Sequence, residues 1–413
     1  MLTLIRASRV IDGTRSAPQR DMELLVDRDR IVGLFPANGA PAARPDRRID
    51  IQGGTLLPGL IDCHVHLFHQ GDPEPGRRFR EEPDGLAMAR GIANARATLE
   101  AGFTTVRVTG SPNALDLVLD RAIRDGFATG PRIVGAGQAI CITGGHGYPH
   151  GLEADGPDAV RRAVRLNLKG GAGVIKMAVT AGIATPGRRW PGTPEFTENE
   201  IRVAVEEAEQ AGVKVCVHAQ GTVGIRRALA AGVHSIEHGY FIDDEPSLIE
   251  MRTRHVFLVP TLVAYATVLE TGPEGQTAPA EALAKTRYAI DAHRQSFIRA
   301  LAAGVPMAMG SDAGTEFNPH GRNAREFSHL VHNGMPPMGA ILAATRDAAR
   351  LLGLDGALGT LEPGKLADVV AVPGDPLADI RMLERVGFVM KAGAIVCADP
   401  AFVRLTPATG VAD

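Results

Sequence analysis

Four times this chain ends a helix-length segment in Ala-Gly and runs straight into an apolar stretch: Glu100-Ala101-Gly102, Gln210-Ala211-Gly212, Ala230-Ala231-Gly232 and Ala302-Ala303-Gly304. A glycine just past a helix stops it, and a strand can begin at once. Around these joints, apolar runs alternate with helix-length segments from Gly59 to about Leu354. The strand candidates are Leu60–His66, Thr104–Val108, Arg132–Ala136, Val174–Met177, Val213–His218, Ser235–His238, Val256–Pro260 and Pro306–Gly310. Eight strands alternating with helices predict an α/β fold, a (β/α)8 TIM barrel rather than an open sheet. Thr197-Glu198-Asn199-Glu200 reads as a capping box that opens the helix ending at Gly212.

Outside that span the texture is β. Alternating runs Leu4–Val10, Met22–Val26, Ile31–Phe35 and Ile49–Leu57 are separated by turn residues, among them Asp12-Gly13 and the Pro/Ala-rich stretch 36–45. The pattern returns at Leu366–Val372, Phe388–Lys391 and Ala394–Val396. The simplest organisation is a small β-sandwich domain built from both chain ends, residues 1–57 and 356–413, with the barrel inserted as residues 58–355. A chain of 413 residues has room for one large domain and one smaller one.

The chemistry begins at the first barrel strand. His64 and His66, two apart, project from one face and can reach one metal ion, whereas Cys63 between them turns to the opposite face. Lys176, His218 and His238 each stand at the end of a later strand, and Asp312 follows the eighth. In a barrel these positions share the rim that carries catalysis. Taken singly, a strand-end histidine is more often a hydrogen-bonded core residue and a lysine a surface cation. Six such residues on one rim point instead to a hydrolytic metal centre. Imidazoles and a carboxylate suit Zn²⁺ and related divalent ions. A lysine ammonium would repel them, so Lys176 is expected as the neutral amine combined with CO₂. Such an N6-carboxylated lysine can bridge two cations, roughly 3.5–4 Å apart, that share an acidified hydroxide.

The sequence resembles the amidohydrolase superfamily along its whole length. The resemblance rests on Pro58-Gly59-Leu60-Ile61-Asp62-Cys63-His64-Val65-His66, on Gly102-Phe103-Thr104-Thr105-Val106-Arg107, and on Gly364-Lys365-Leu366-Ala367-Asp368-Val369-Val370. It implies two divalent ions, zinc first among them. His64, His66 and Asp312 would hold one ion, His218 and His238 the second, and carboxylated Lys176 would bridge both. Asp312 would also move the proton from the attacking water to the leaving group. Mononuclear deaminases of the superfamily carry His-x-x-Glu after the fifth strand; here the residues are His218-Ala219-Gln220-Gly221, which favours amide hydrolysis.

Three further segments resemble the branch of Xaa-Pro and Xaa-Arg/Lys dipeptidases, to which ochratoxin-type amidases and phenylurea hydrolases are related. They are the glycine-rich loop Ile142-Thr143-Gly144-Gly145-His146-Gly147-Tyr148, the His238-Gly239-Tyr240 turn, and Asn318-Pro319-His320-Gly321-Arg322-Asn323-Ala324-Arg325-Glu326. By that resemblance His146 and Tyr240 bind the substrate carboxylate or polarise its scissile carbonyl, and His320 and Arg322 are further substrate candidates. No chemistry is assigned to His69, His150, His234, His255, His293, His329 or His332. Residues 265–277 read as a rim loop able to shape the pocket, followed by a helix over Pro279–Leu301.

The expected activity is hydrolysis of an amide bond in a small substrate with a free carboxylate, a dipeptide or an N-acyl amino acid. The alternative is a carbamate, urea, cyclic amide or other xenobiotic amide, and a non-catalytic scaffold is the third reading. A net charge of −3 gives no reason to expect nucleic acid as a partner. Four scattered cysteines read as reduced thiols, and no apolar run reaches the ~18 residues of a membrane span. A cytoplasmic homo-oligomer without a membrane partner is expected.

Overall fold

The computed structural model describes residues 1–14, 17–39, 45–72, 82–270 and 277–407. Both chain ends enter one mixed sheet. Its strands are β1 (Leu2–Val10), β2 (Gln19–Asp27), β3 (Arg30–Pro36) and β4 (Arg47–Pro58) from the start of the chain. The parallel strands that follow are β5 (Leu60–Val65), β6 (Phe103–Val108), β7 (Arg132–Gly135), β8 (Ile140–Cys141), β9 (Leu152–Glu153), β10 (Val174–Ala178), β11 (Lys214–Ala219), β12 (Ser235–His238) and β13 (Phe257–Val259). The chain then returns to the first sheet with β14 (Val369–Pro373), β15 (Phe388–Lys391), β16 (Ala394–Ala398) and β17 (Val403–Pro407). That sheet runs β16-β15-β14-β4-β1-β2-β3, and β17 also pairs with β4. β4 is its hinge: Leu56 and Leu57 face β14 in antiparallel register, while Ile49 and Ile51 lie parallel to β1.

The TIM barrel follows chain order, β5-β6-β7 and then β8-β10-β11-β12-β13. Its third strand is split, β7 pairing with β6 and β8 with β10. The predicted eighth strand, 306–310, forms no continuous ladder. It closes the ring through separate bonds: Leu258 N to Pro306 O (2.9 Å) and Ala308 N to Leu258 O (3.1 Å) on one side, Cys63 N to Met309 O (2.9 Å) and Asp312 N to His64 O (2.7 Å) on the other. Two residues beyond it, Asp312 takes φ +56° and leaves the extended conformation.

The joints behave as the sequence predicts. Gly102 and Gly232 sit at φ +95° and +98°, where a Cβ would be strained. The Thr197–Glu200 capping box forms both of its bonds, opening a helix over Glu198–Gln210. One apolar core fills the space between barrel strands and helices, from Leu60 and Phe103 to Ile236 and Phe327; a second, around Ile5, Leu24, Ile49 and Phe388, lies under the terminal sheet. Cys63 packs with Ile61, Ala348 and Leu351, away from the histidines beside it.

The segment 265–277 differs from the expected loop. A helix over Leu262–Val268 takes its first part, and 271–276 lie outside the described residues. This helix is held because Glu326 accepts hydrogen bonds from Leu262 N (2.9 Å) and Val263 N (2.7 Å), satisfying two amides at its start. No helix among the described residues is long and apolar enough to cross a membrane.

Candidate metal centre

The six residues singled out on the rim converge on one cavity of about 360 Å³, lined by His64, His66, Lys176, His218, His238 and Asp312. The closest grouping is His64, His238 and Asp312, whose ligand atoms lie within 4.8 Å of one another. His66 adjoins it, with Nε2 3.2 Å from Asp312 Oδ1. The His218 ring is 4.6 Å from that of His238, and its Nε2 is buried without a hydrogen-bond partner among the described residues. Orphaned imidazole nitrogens converging with a carboxylate are what a cation would satisfy, so the residues fit a metal.

Two of the backbone turns that aim these groups are strained. His238 takes φ +70° at the end of β12 and Asp312 φ +56° after the eighth segment. Left-handed non-glycine residues cost of order 1–3 kcal/mol each and persist where the surroundings over-determine them. Gly182 bounds the site more simply: a Cβ there would meet His218 Nε2 at 2.8 Å and His146 Cε1 at 2.7 Å.

Lys176 is the chemically decisive member. It is buried at 4% exposure, and no hydrogen bond or ion pair to its ammonium exists among the described residues. Burial drives its pKa below the ordinary lysine value. That shift favours the neutral amine, the form that can take up CO₂.

Residues not singled out from the sequence set the polarity of the site. Glu237 accepts from His64 Nδ1 (2.7 Å), from Arg107 Nη2 (2.7 Å) and from Ser235 Oγ (2.6 Å). Burial alone would raise the Glu237 carboxyl, but Arg107 and His64 hold it down at about 2. An ionised carboxylate only accepts, so the His64 proton lies on Nδ1 and its Nε2 lone pair faces the cavity. Burial keeps that imidazole neutral, with a pKa lowered to about 4. Arg107 also donates from Nε to Cys63 O (2.5 Å), which ties β6 to the strand bearing both histidines. Asp62 is a second staple: it accepts from His64 N (3.1 Å), Ser311 N (3.0 Å), Ser311 Oγ (2.5 Å) and Asn323 Nδ2 (2.8 Å), joining the first strand to the eighth. Buried Asp, Glu and Arg on strand interiors were the available signal, since such charges need partners.

The substrate candidates separate. His146 lines the cavity and stacks on His218 at 4.0 Å. Gly182 N donates to Thr185 Oγ1 (2.8 Å), whose hydroxyl lies 2.8 Å from His146 Nδ1. With the Thr185 hydroxyl donating to Nδ1, the Nε2–H tautomer is the one that offers a proton to a ligand. Tyr240 is completely buried: its ring stacks on His293 (4.1 Å) and meets Tyr265 edge-on (4.7 Å), and it is Tyr265, with Tyr148, that lines the cavity. His320 is outside the lining; its Nε2 lies 3.0 Å from His66 O and its Nδ1 3.1 Å from Thr98 Oγ1, which supports the His66 backbone. Arg322 is exposed on the surface, likewise outside the lining. In contrast, His69 and His150 line the cavity; the His69 ring stacks on His66 at 4.8 Å and His150 meets it edge-on at 5.2 Å.

Comparison with known proteins agrees with this geometry. The amidohydrolase family model matches residues 55–396. Ochratoxinase of Aspergillus niger is 30% identical over 93% of this chain and 83% of its own. The structure of a Xaa-Pro dipeptidase with methionine bound in its active site superposes with a TM-score of 0.86, at 35% identity over 96% of this chain and 99% of that one. A prolidase complexed with N-methylphosphonate-L-proline gives 0.86 at 32% identity, over 96% and 100% of the two chains. With the metal-ligand rim, the Pro58–His66 strand and the matched span in agreement, this chain belongs to the amidohydrolase family.

Proposed function

We propose that this hydrolase uses a pair of divalent ions, held by His64, His66, His218, His238, Asp312 and carboxylated Lys176, to cleave an amide bond in a small substrate with a free carboxylate. Dipeptides and N-acyl amino acids are the substrate class. The observation that carries the reading is the convergence of those six side chains on one cavity. The Xaa-Pro dipeptidase likeness, with an amino acid in that relative's active site, supports the carboxylate. Bound divalent ions supply Lewis acidity and bring the pKa of a coordinated water toward about 7.

The protein's own part is positioning and proton transfer. Burial alone would raise the Asp312 carboxyl, but the neighbouring His64 and His66 hold it down at about 2, so it is ionised and able to accept the proton of the attacking water. It then delivers that proton to the leaving nitrogen, a carboxylate being able to do both within hydrogen-bond reach. His146, neutral because burial lowers it to about 3, offers Nε2–H to the carbonyl oxygen as charge develops there, or to the carboxylate. Tyr240 lies one layer back, and its place beneath Tyr265 gives it a supporting role in this reading.

The test is a hydrolysis screen of dipeptides and N-acyl amino acids at pH 8 with zinc and bicarbonate, each paired with its C-terminal amide. Cleavage confined to the free acids is the expected result. Equal cleavage of both would move the reading to amides, ureas or carbamates without a carboxylate.

A further inference from the structure

One acid of the cavity has no part in the chemistry above. Glu316 follows Asp312 by four residues, lines the cavity, and is 8% exposed. Its backbone is held on several sides. Thr315 Oγ1 donates to Asp312 O (2.8 Å), Gly314 N to Asn318 O (2.7 Å), Phe317 N to Gly71 O (3.0 Å) and Thr267 Oγ1 to Glu316 O (2.9 Å). The carboxylate, by contrast, has no ion pair and no hydrogen bond beyond its own backbone amide among the described residues. The other lining glutamate, Glu281, is half exposed and paired with Lys285 at 2.7 Å.

A buried carboxylate without a counter-charge is costly, and apolar packing would fill the space better. The cost shows as a pKa raised to about 7, by burial first and by the charge of Asp312 second. A cation is the missing partner. The grouping of His, Cys, Asp and Glu ligand atoms found among the described residues is His64, His238 and Asp312; Glu316 has no such company, so an organic cation suits it better than a further metal.

We propose that the Glu316 carboxylate receives a positively charged nitrogen of the substrate, so that the enzyme favours dipeptides carrying that charge over their neutral counterparts. This rests on the amide-hydrolase reading of the same cavity. The charge has two possible sources, the free α-ammonium of the N-terminal residue or a basic side chain.

Calorimetric binding to the zinc-loaded full chain separates them with three probes. L-leucinamide carries only the α-ammonium, N-acetyl-L-argininamide only a guanidinium, and 4-methylpentanoate only a carboxylate, with no amide to cleave. One of the two cations is expected to bind the wild type roughly ten- to a hundred-fold more tightly than Glu316→Gln, the scale of a charge-assisted hydrogen bond. Glu316→Asp should retain part of that gain, and 4-methylpentanoate should bind all three proteins within about two-fold at equal zinc content. The idea is overturned if neither cation distinguishes wild type from Glu316→Gln, including by failing to bind either. It is also overturned if 4-methylpentanoate weakens in parallel, which marks a merely structural residue. None of the three probes is an amide with a free carboxylate, so binding is read without the proposed turnover, and a negative hydrolysis screen and a negative result here remain separate findings.

Discussion

Replacing Glu237 by Gln tests the polarity argument at its centre. The side chain is completely buried, and its two oxygens receive His64, Arg107 and Ser235 at 2.6–2.7 Å. Glutamine keeps the volume but removes the charge and turns one acceptor into a donor. Arg107, 2% exposed, then keeps a buried cation without its counter-ion, and either His64 or Arg107 faces an N–H instead of an oxygen. Breaking a buried pair by removing one partner costs about 3–5 kcal/mol. Losing the acceptor that orients a metal-ligating histidine typically weakens metal affinity by about 10- to 100-fold. Urea unfolding of the metal-stripped protein measures the first effect, and zinc titration against a competing chelator the second. Arg107→Met should also destabilise alone, because it strands the carboxylate, whereas Glu237→Gln combined with Arg107→Met should cost less than the sum of the two. Additive losses in the double variant, or a Glu237→Gln protein with unchanged stability and zinc affinity, would refute the network as drawn.

Three further outcomes follow from the same geometry. Lys176→Ala should bind fewer than two zinc ions per chain by elemental analysis and lose at least about a hundred-fold in activity, and wild-type protein reconstituted without CO₂ should regain activity only when bicarbonate is added. His320→Ala, which frees the His66 carbonyl, should weaken zinc binding without abolishing it, and a His320→Ala protein binding zinc as tightly as wild type would remove that supporting role. Glu316 ionises at about 4.5 when unfolded and at about 7 in the fold. The folded state therefore keeps a proton that the unfolded state releases between those values, and stability falls as pH rises through that window. Glu316→Gln should thus stabilise the metal-stripped protein by on the order of 3 kcal/mol at pH 8 and hardly at all near pH 4.5. A gain independent of pH would point to packing instead.

The βα alternation, the Ala-Gly joints and the six rim residues were legible in the sequence because each depends on local rules. Period-2 alternation puts His64 and His66 on one face, and a glycine past a helix ends it wherever the rest of the chain goes. The eighth strand was legible only in part: its apolar run is present, but Asp312 at φ +56° and the split hydrogen bonding arise from where β5 and β13 lie. Residues 265–268 read as loop because their helix draws its cap from Glu326, 64 residues beyond Leu262. Tyr240, His320 and Arg322 share their loops with cavity residues, yet only the fold decides which side chain reaches the cavity: Tyr265 covers Tyr240, His320 turns to the His66 carbonyl, and Arg322 stays in solvent.

The division follows the range of the forces involved. Local sequence determined which elements form and which side chains crowd the rim, since propensity, caps and alternation act over a few residues. The tertiary structure alone decided the protonation states. The Glu237–Arg107 pair is 130 residues apart and Asp62 meets Asn323 across 261, so the fields that keep His64 neutral and Asp312 ionised exist only once the ring has closed. Burial with or without a counter-charge is likewise a property of the packed cavity, and it separates a paired acid such as Glu237 from the unpaired Glu316.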